Sequence, residues 1–153
     1  MNAPDPRRRA AIGMLLELRS VPLFRELGAE QLKPVAEIAG YVRHEAGEVL
    51  FEPQDLGDRL YVIAEGSVEL SAEGEAPEVL WPGDCFGELA LLESLPRHRR
   101  AKAVEPATLL TIGRQEFELI LQGHPDIARA MAEVLAERLR RSLESSEPLS
   151  RRL

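Results

Sequence analysis

Apolar positions change their spacing twice along the chain, dividing it into a helical start, a strand-rich middle and a helical end. From Arg7 to Arg19, the residues Ala11, Met14, Leu15 and Leu18 recur at helical spacing. Val21-Pro22 breaks that helix, and Leu23, Phe24 and Leu27 form a short apolar turn before Gly28. A second helix is predicted from Ala29 to Ala39, burying Leu32, Val35 and Ile38. Pro34 within it lacks an N–H and is expected to delay the helix start or kink it. After Gly40 the runs shorten: 41–43, 49–51, 60–63, 68–70, 79–81, 85–86, 101–103 and 108–112, several of them rich in β-branched or aromatic residues. Gly47, Gly57-Asp58, Gly66, Gly74 and Pro82-Gly83 punctuate most of them. From Arg114 the helical period returns. Phe117, Ile120 and Leu121 share a face up to Gly123, and Pro125 suits a first helical turn. Ile127, Ala130, Met131, Val134, Leu135, Leu139 and Leu143 then mark a long amphipathic helix.

These elements predict an α+β fold. Its centre is an eight-stranded antiparallel jelly-roll β-barrel, flanked by N-terminal helices and two C-terminal helices. Residues 1–19 form an N-terminal tail and helix, with Met1 to Pro6 expected to be disordered. Residues 20–143 form one domain that includes the last helix, and 144–153 a frayed tail. No internal repeat or dividing linker interrupts the chain.

Composition narrows the function classes. The chain has 153 residues, 44% hydrophobic and 29% charged, enough for one packed core. A net charge of −7 disfavours non-specific binding to nucleic acid or to an anionic membrane, although basic residues cluster at Arg7–Arg9, Arg97–Lys102 and Arg138–Arg141. The single cysteine, Cys85, excludes an internal disulfide, fits a reducing cytoplasm and reads as a small buried strand residue. Arg7–Arg9 before an apolar run superficially looks like an export signal. Glu17 and Arg19 cut the run short, no small-residue cleavage site follows, and no stretch approaches transmembrane length. His44, His98 and His124 lack metal-ligand spacing, and no Gly-x-Ser-x-Gly or Walker loop occurs. No catalytic residue, metal or cofactor is therefore expected, and the enzyme classes are set aside.

The chemistry lies in Gly83 to Ala103. There Phe86-Gly87-Glu88-Leu89-Ala90-Leu91-Leu92 is followed by Pro96-Arg97. A glycine at the mouth of an apolar turn lets backbone N–H groups approach an anion. The next residue, Glu88, can accept from a sugar hydroxyl, and Arg97 can clamp a phosphate with its planar fork. Read singly, each has a plainer explanation: Arg97 as a solvated surface residue, Glu88 as an acid favoured at a helix start, His98–Arg100 as a charged strand end.

Taken together, the stretch resembles the phosphate-binding cassette of cyclic-nucleotide-binding domains, the sensor modules of catabolite-activator-type regulators and protein kinase A regulatory subunits. Gly47–Phe51, Gly57–Ile63, Gly66–Val68 and the lead-in Val21–Phe24 extend the likeness over residues 20–143. The resemblance implies a sensor without catalysis, with Phe86, Gly87, Glu88, Leu89, Ala90, Arg97 and His98 as ligand-binding residues. Glu88 would hold the ribose 2′-hydroxyl and Arg97 the cyclic phosphate, with dipolar help from a short helix at Glu88–Leu92. The last helix would be a lid, with Val134, Leu135 or Leu139 closing over the base.

Two departures stand out. His98, Arg99 and Arg100 replace the small residues usual after the arginine, and one turned inward would crowd the pocket or add a second cation. The hydroxyl associated with guanine preference is also missing, which favours cAMP over cGMP. Gln54 stands where the family commonly has glycine in a strand-connecting turn. The residues after Leu143 are too few for a helix-turn-helix, so direct DNA binding is not expected. The partners expected are a cyclic nucleotide, an effector protein of unknown identity and a second copy through the last helix. A different class stays open: a degenerate barrel without nucleotide binding, acting as an interaction or dimerisation module.

Overall fold

The computed structural model of the chain describes residues 6–145. Helix α1 (Pro6–Arg19) leads through a 3-10 turn (Pro22–Phe24) to α2 (Ala29–Ile38). The strands are β1 (Gly40–His44), β2 (Val49–Phe51), β3 (Leu56–Gly57), β4 (Arg59–Glu65), β5 (Val68–Ser71), β6 (Glu78–Leu80) and β7 (Cys85–Phe86). After a 3-10 turn (Glu88–Leu91) come β8 (Leu95–Pro96), β9 (Arg100–Ala103) and β10 (Ala107–Gly113). Helices α3 (Arg114–Gly123) and α4 (Pro125–Glu144) end the described chain.

The α+β class with antiparallel pairing is as expected, but its detail differs. The described residues hold ten strands: a sheet in the order β1-β10-β4-β7, a second in the order β2-β9-β5-β6, and a two-stranded ribbon β3-β8. No hydrogen-bonded pair joins these sheets into a closed eight-stranded barrel among the described residues. The ribbon escaped the sequence pattern because two-residue strands carry no alternation to detect. Pro96 sits in it opposite Leu56, and proline is tolerated where no further strand needs its missing N–H.

The β4–β10 pair is the wall between two cores. Leu60 and Val62 face Ile112 and Leu110 across the register, and all four are buried against the helices with Leu18, Phe24, Val35, Phe117 and Met131. The alternate residues Ile63 and Leu109 point the other way, into a core with Val68, Leu70, Phe86 and Ala101. Burial on both faces explains why this pair reads as continuous apolar runs rather than as alternation. Phe24 and Phe117, with ring centroids 5.7 Å apart, join the first 3-10 turn to α3.

Helix α1 already includes Pro6, so the expected disorder stops short of it. Residues 1–5 and 146–153 lie outside the described residues, as does most of the expected C-terminal tail. Helix α2 starts at Ala29 without delay despite Pro34, because Gln31 caps it: its Oε1 accepts from the Gly28 N–H at 3.0 Å. The other end of that amide donates to Asp126 at 2.9 Å, fastening α2 to the first turn of α4. Further along, Arg25 pairs with Glu137 at 2.6 Å, so α4 is held at two points on the helical layer.

Candidate functional site

A cavity of about 440 Å³ opens between the second sheet and the turn after β7. Phe86, Gly87, Glu88, Leu89, Ala90, Arg97 and His98 all border it. Chain order explains most of this. Strand β7 pairs Phe86 with Tyr61 and delivers Gly87 to the cavity mouth. Gly87 takes φ +77°, which reverses the backbone into the 3-10 turn that carries Glu88.

Arg97 lies across the floor. Its Nη2 donates to the Arg59 carbonyl at 2.9 Å, and its Cζ sits 4.3 Å from the centre of the Phe51 ring. A Cβ on Gly87 would come within 2.5 Å of Arg97 Nη1 and 2.7 Å of the Arg59 carbonyl; one on Gly57 would meet the guanidinium at 3.1 Å. Position 87 therefore needs glycine, and at Gly57 the guanidinium of Arg97 would have to give by a few tenths of an ångström. Its backbone is held as firmly: Arg97 N donates to the Asp55 carbonyl at 2.7 Å, and Gln54 N donates to the Arg97 carbonyl at 2.8 Å. Burial lowers the pKa of the half-buried guanidinium, and Tyr61, Asp58 and Asp55 act in the opposite direction. No carboxylate comes within ion-pair distance of Arg97 among the described residues. A preorganised cation resting on an aromatic face and lacking a counter-charge is suited to an anionic ligand.

Glu88 is held from the far side. Arg138 of α4 donates to its Oε1 at 3.0 Å, whereas Oε2 is buried without a hydrogen-bond partner. An orphaned buried carboxylate oxygen is costly unless something donates to it. Glu88 and Arg97 line the same cavity, so one small molecule carrying a hydroxyl and an anionic group can reach both side chains.

The basic run after Arg97 is spread along the rim. His98 is mainly solvent-exposed and meets Glu75 at 2.8 Å, and Arg100 turns outward to Glu52 at 2.8 Å. Arg99 borders the cavity and pairs with Glu78 at 2.8 Å. Acids drawn from the residue after β2, from β6 and from the turn before β6 thus balance the run. Cys85 also borders the cavity; burial first, then Glu88 and Asp84, push its thiol up to about 11, so it is not a nucleophile at neutral pH.

A sequence model of the family described as cyclic nucleotide-binding domain matches residues 41–124, which include every cavity-lining residue named so far. The chain belongs to the cyclic nucleotide-binding domain family. It is 31% identical to the cyclic AMP receptor protein of Thermus thermophilus over 80% of this chain and 59% of that protein. It is also 31% identical to a cAMP-dependent protein kinase regulatory subunit of Yarrowia lipolytica, over 68% of this chain and 28% of that protein. The crystal structure of the N-terminal domain of a transcriptional regulator from Streptomyces coelicolor superposes with a TM-score of 0.78 at 32% identity, covering 88% of this chain and 97% of that one. The chain thus spans about three fifths or less of the first curated relatives it matches.

In this cyclic nucleotide-binding domain the lid residues do not stand over the cavity. Val134 is fully buried, Leu135 packs against the helical core, and Leu139 is 61% exposed. None of the three borders the cavity. The expectation followed from the family resemblance; in this structure the apolar stripe of α4 is largely consumed by α3 and the first 3-10 turn. The stripe carried no sign of Arg138, the residue through which α4 reaches the site. Phe51, Gly57, Leu70, Glu78 and Leu80 were also missed as site residues. Phe51, Gly57 and Leu70 lie well before the cassette in sequence, and all five lie outside its motif and come to the cavity through the fold. No helix of the described residues is long and apolar enough to cross a membrane.

Proposed function

We propose that this domain is a cyclic-nucleotide sensor, with cAMP preferred over cGMP. Arg97 takes the cyclic phosphate, and the 2′-hydroxyl of the ribose donates to Glu88. Phe86, Gly87, Leu89, Ala90 and His98 shape the pocket around them. The observation that carries the reading is that Arg97, with no ion pair among the described residues, and Glu88, with one carboxylate oxygen lacking a hydrogen-bond partner, line one cavity. The absence of a hydroxyl-bearing residue after Arg97 supports the adenine preference.

The output runs through α4. Because Arg138 and the ribose share one carboxylate, filling the site alters what holds the last helix, and α4 moves between two arrangements with different affinities for the ligand. The domain performs no catalysis and needs no cofactor. It acts in the cytoplasm on a protein effector, pairing with a second copy through α4, where Leu139 and Leu143 remain exposed.

The second reading is the interaction module without nucleotide binding. It is favoured by the internal partners that Arg97 and Glu88 already have in the Arg59 carbonyl and Arg138. Calorimetry and thermal shift with cAMP and cGMP separate the two. A ligand at 100 times its Kd stabilises the folded state by about 2.7 kcal/mol, a readily measured rise in Tm. Arg97→Glu is expected to abolish that rise. No heat and no shift at millimolar nucleotide would establish the interaction module instead.

A further inference from the structure

Beyond Arg97 and Glu88, the cavity has a second polar group on the opposite stretch of wall. Leu70 of β5 is paired with Glu78 of β6 on one side and with Ala101 of β9 on the other. Arg99 lies two residues before Ala101, so three neighbouring strands bring Leu70, Glu78 and Arg99 together, with Leu80 on the same wall. Leu70 and Leu80 are nearly closed to solvent and make an apolar shelf for a flat ring. At its edge Arg99 Nη1 meets Glu78 Oε2 at 2.8 Å. That contact engages one of the five N–H donors of Arg99 and one of the two oxygens of Glu78, leaving a donor and an acceptor side by side for a ligand.

We infer that Glu78 and Arg99 form the base-reading edge of the site and select adenine over guanine. This rests on the nucleotide reading above. With phosphate at Arg97 and ribose at Glu88, the base is the remaining part of the ligand and the shelf is the remaining wall. Adenine presents an amino donor beside the N7 acceptor, matching carboxylate and guanidinium respectively. Guanine presents two acceptors, O6 and N7, on the same edge, and its O6 would face the Glu78 carboxylate. The inward cation after Arg97 thereby becomes a reader instead of an obstruction.

The test is calorimetry on the full chain with cAMP, cGMP and 7-deaza-cAMP, which lacks the N7 acceptor. The wild type should bind cAMP about tenfold or more tightly than cGMP, and 7-deaza-cAMP should lose affinity to a similar degree. Glu78→Gln, whose amide can donate to O6, should narrow the cAMP-to-cGMP ratio about tenfold. Arg99→Met should remove the difference between cAMP and 7-deaza-cAMP. Equal binding of cAMP and 7-deaza-cAMP by the wild type, an arm that needs no variant, would overturn the base-reading role while leaving the phosphate–ribose reading intact. A ratio unmoved by Glu78→Gln would overturn the role in the same way. A wild type that binds none of the three overturns both readings together.

Discussion

Arg138 and Glu88 are fifty residues apart in the chain and 3.0 Å apart in space. The side chains are 34% and 20% exposed, which puts the pair between a surface ion pair and a buried one. Only one oxygen of Glu88 is used, so Arg138 fixes the carboxylate while its other oxygen is buried without a partner. The last helix therefore reaches the cavity-lining Glu88 through a charge.

Removing that charge should act on ligand and fold alike. Arg138→Ala is expected to weaken cAMP binding about five- to tenfold, because Glu88 loses its orienting partner. It should destabilise the unliganded protein by about 1 kcal/mol, since a partly exposed pair is worth less than a buried one. Calorimetry and denaturant unfolding measure the two effects. A Kd for cAMP equal to that of the wild type would separate α4 from the site.

Gly87 should tolerate no side chain. At φ +77° an alanine costs about 1–2 kcal/mol in backbone strain alone. Its Cβ would also press on the Arg59 carbonyl and displace the Arg97 guanidinium. Gly87→Ala is therefore expected to lower Tm by several degrees and to reduce cAMP binding at least tenfold. Retained affinity in a folded Gly87→Ala protein would show that Arg97 does not need its present position.

Gln54 offers the opposite change. It is the one non-glycine residue with positive φ, +76°, among the described residues. Gln54→Gly should relieve about 1 kcal/mol of strain, offset in part by the greater freedom of glycine in the unfolded chain. A rise in Tm of about 2–4 °C or somewhat less is expected. Ligand affinity should be unchanged, because the hydrogen bond to the Arg97 carbonyl comes from the backbone of residue 54. A fall in Tm would mean that the glutamine side chain contributes more than its strain costs.

Cys85 gives a pH dependence. Burial raises its pKa from 9.0 to about 11, so the folded state favours the protonated thiol. The associated stability is complete below pH 9 and is lost as pH rises from about 9 through 11. Tm measured across pH 7–11 should fall more steeply for the wild type than for Cys85→Ala, and the thiol should react slowly with a disulfide reagent at pH 8. Identical slopes for the two proteins would show that the thiol ionises as freely in the folded state as in the unfolded one.

The cassette was readable from chain order because it is short. Gly87, Glu88 and Arg97 lie within eleven residues, and one tight turn brings them to one cavity. Eight of the strands and the four helices were equally legible, since periodicity and glycine punctuation are local signals. Strands β3 and β8 were not legible: they have two residues each, no period to read, and no aromatic residue of the kind that marks the equally short β7.

Residue order therefore specified which groups can meet an anion and a sugar, since helix turns, strand alternation and a left-handed glycine act over a few residues. Tertiary packing decided what surrounds those groups. It placed Phe51 under Arg97 and sent Arg99 to Glu78. It also set α4 against the helical core, with Arg138 reaching the cavity-lining Glu88. These partners come from strands and helices distant in sequence, and they meet only because sheet register and two-sided burial of β4 and β10 fix where each element lies.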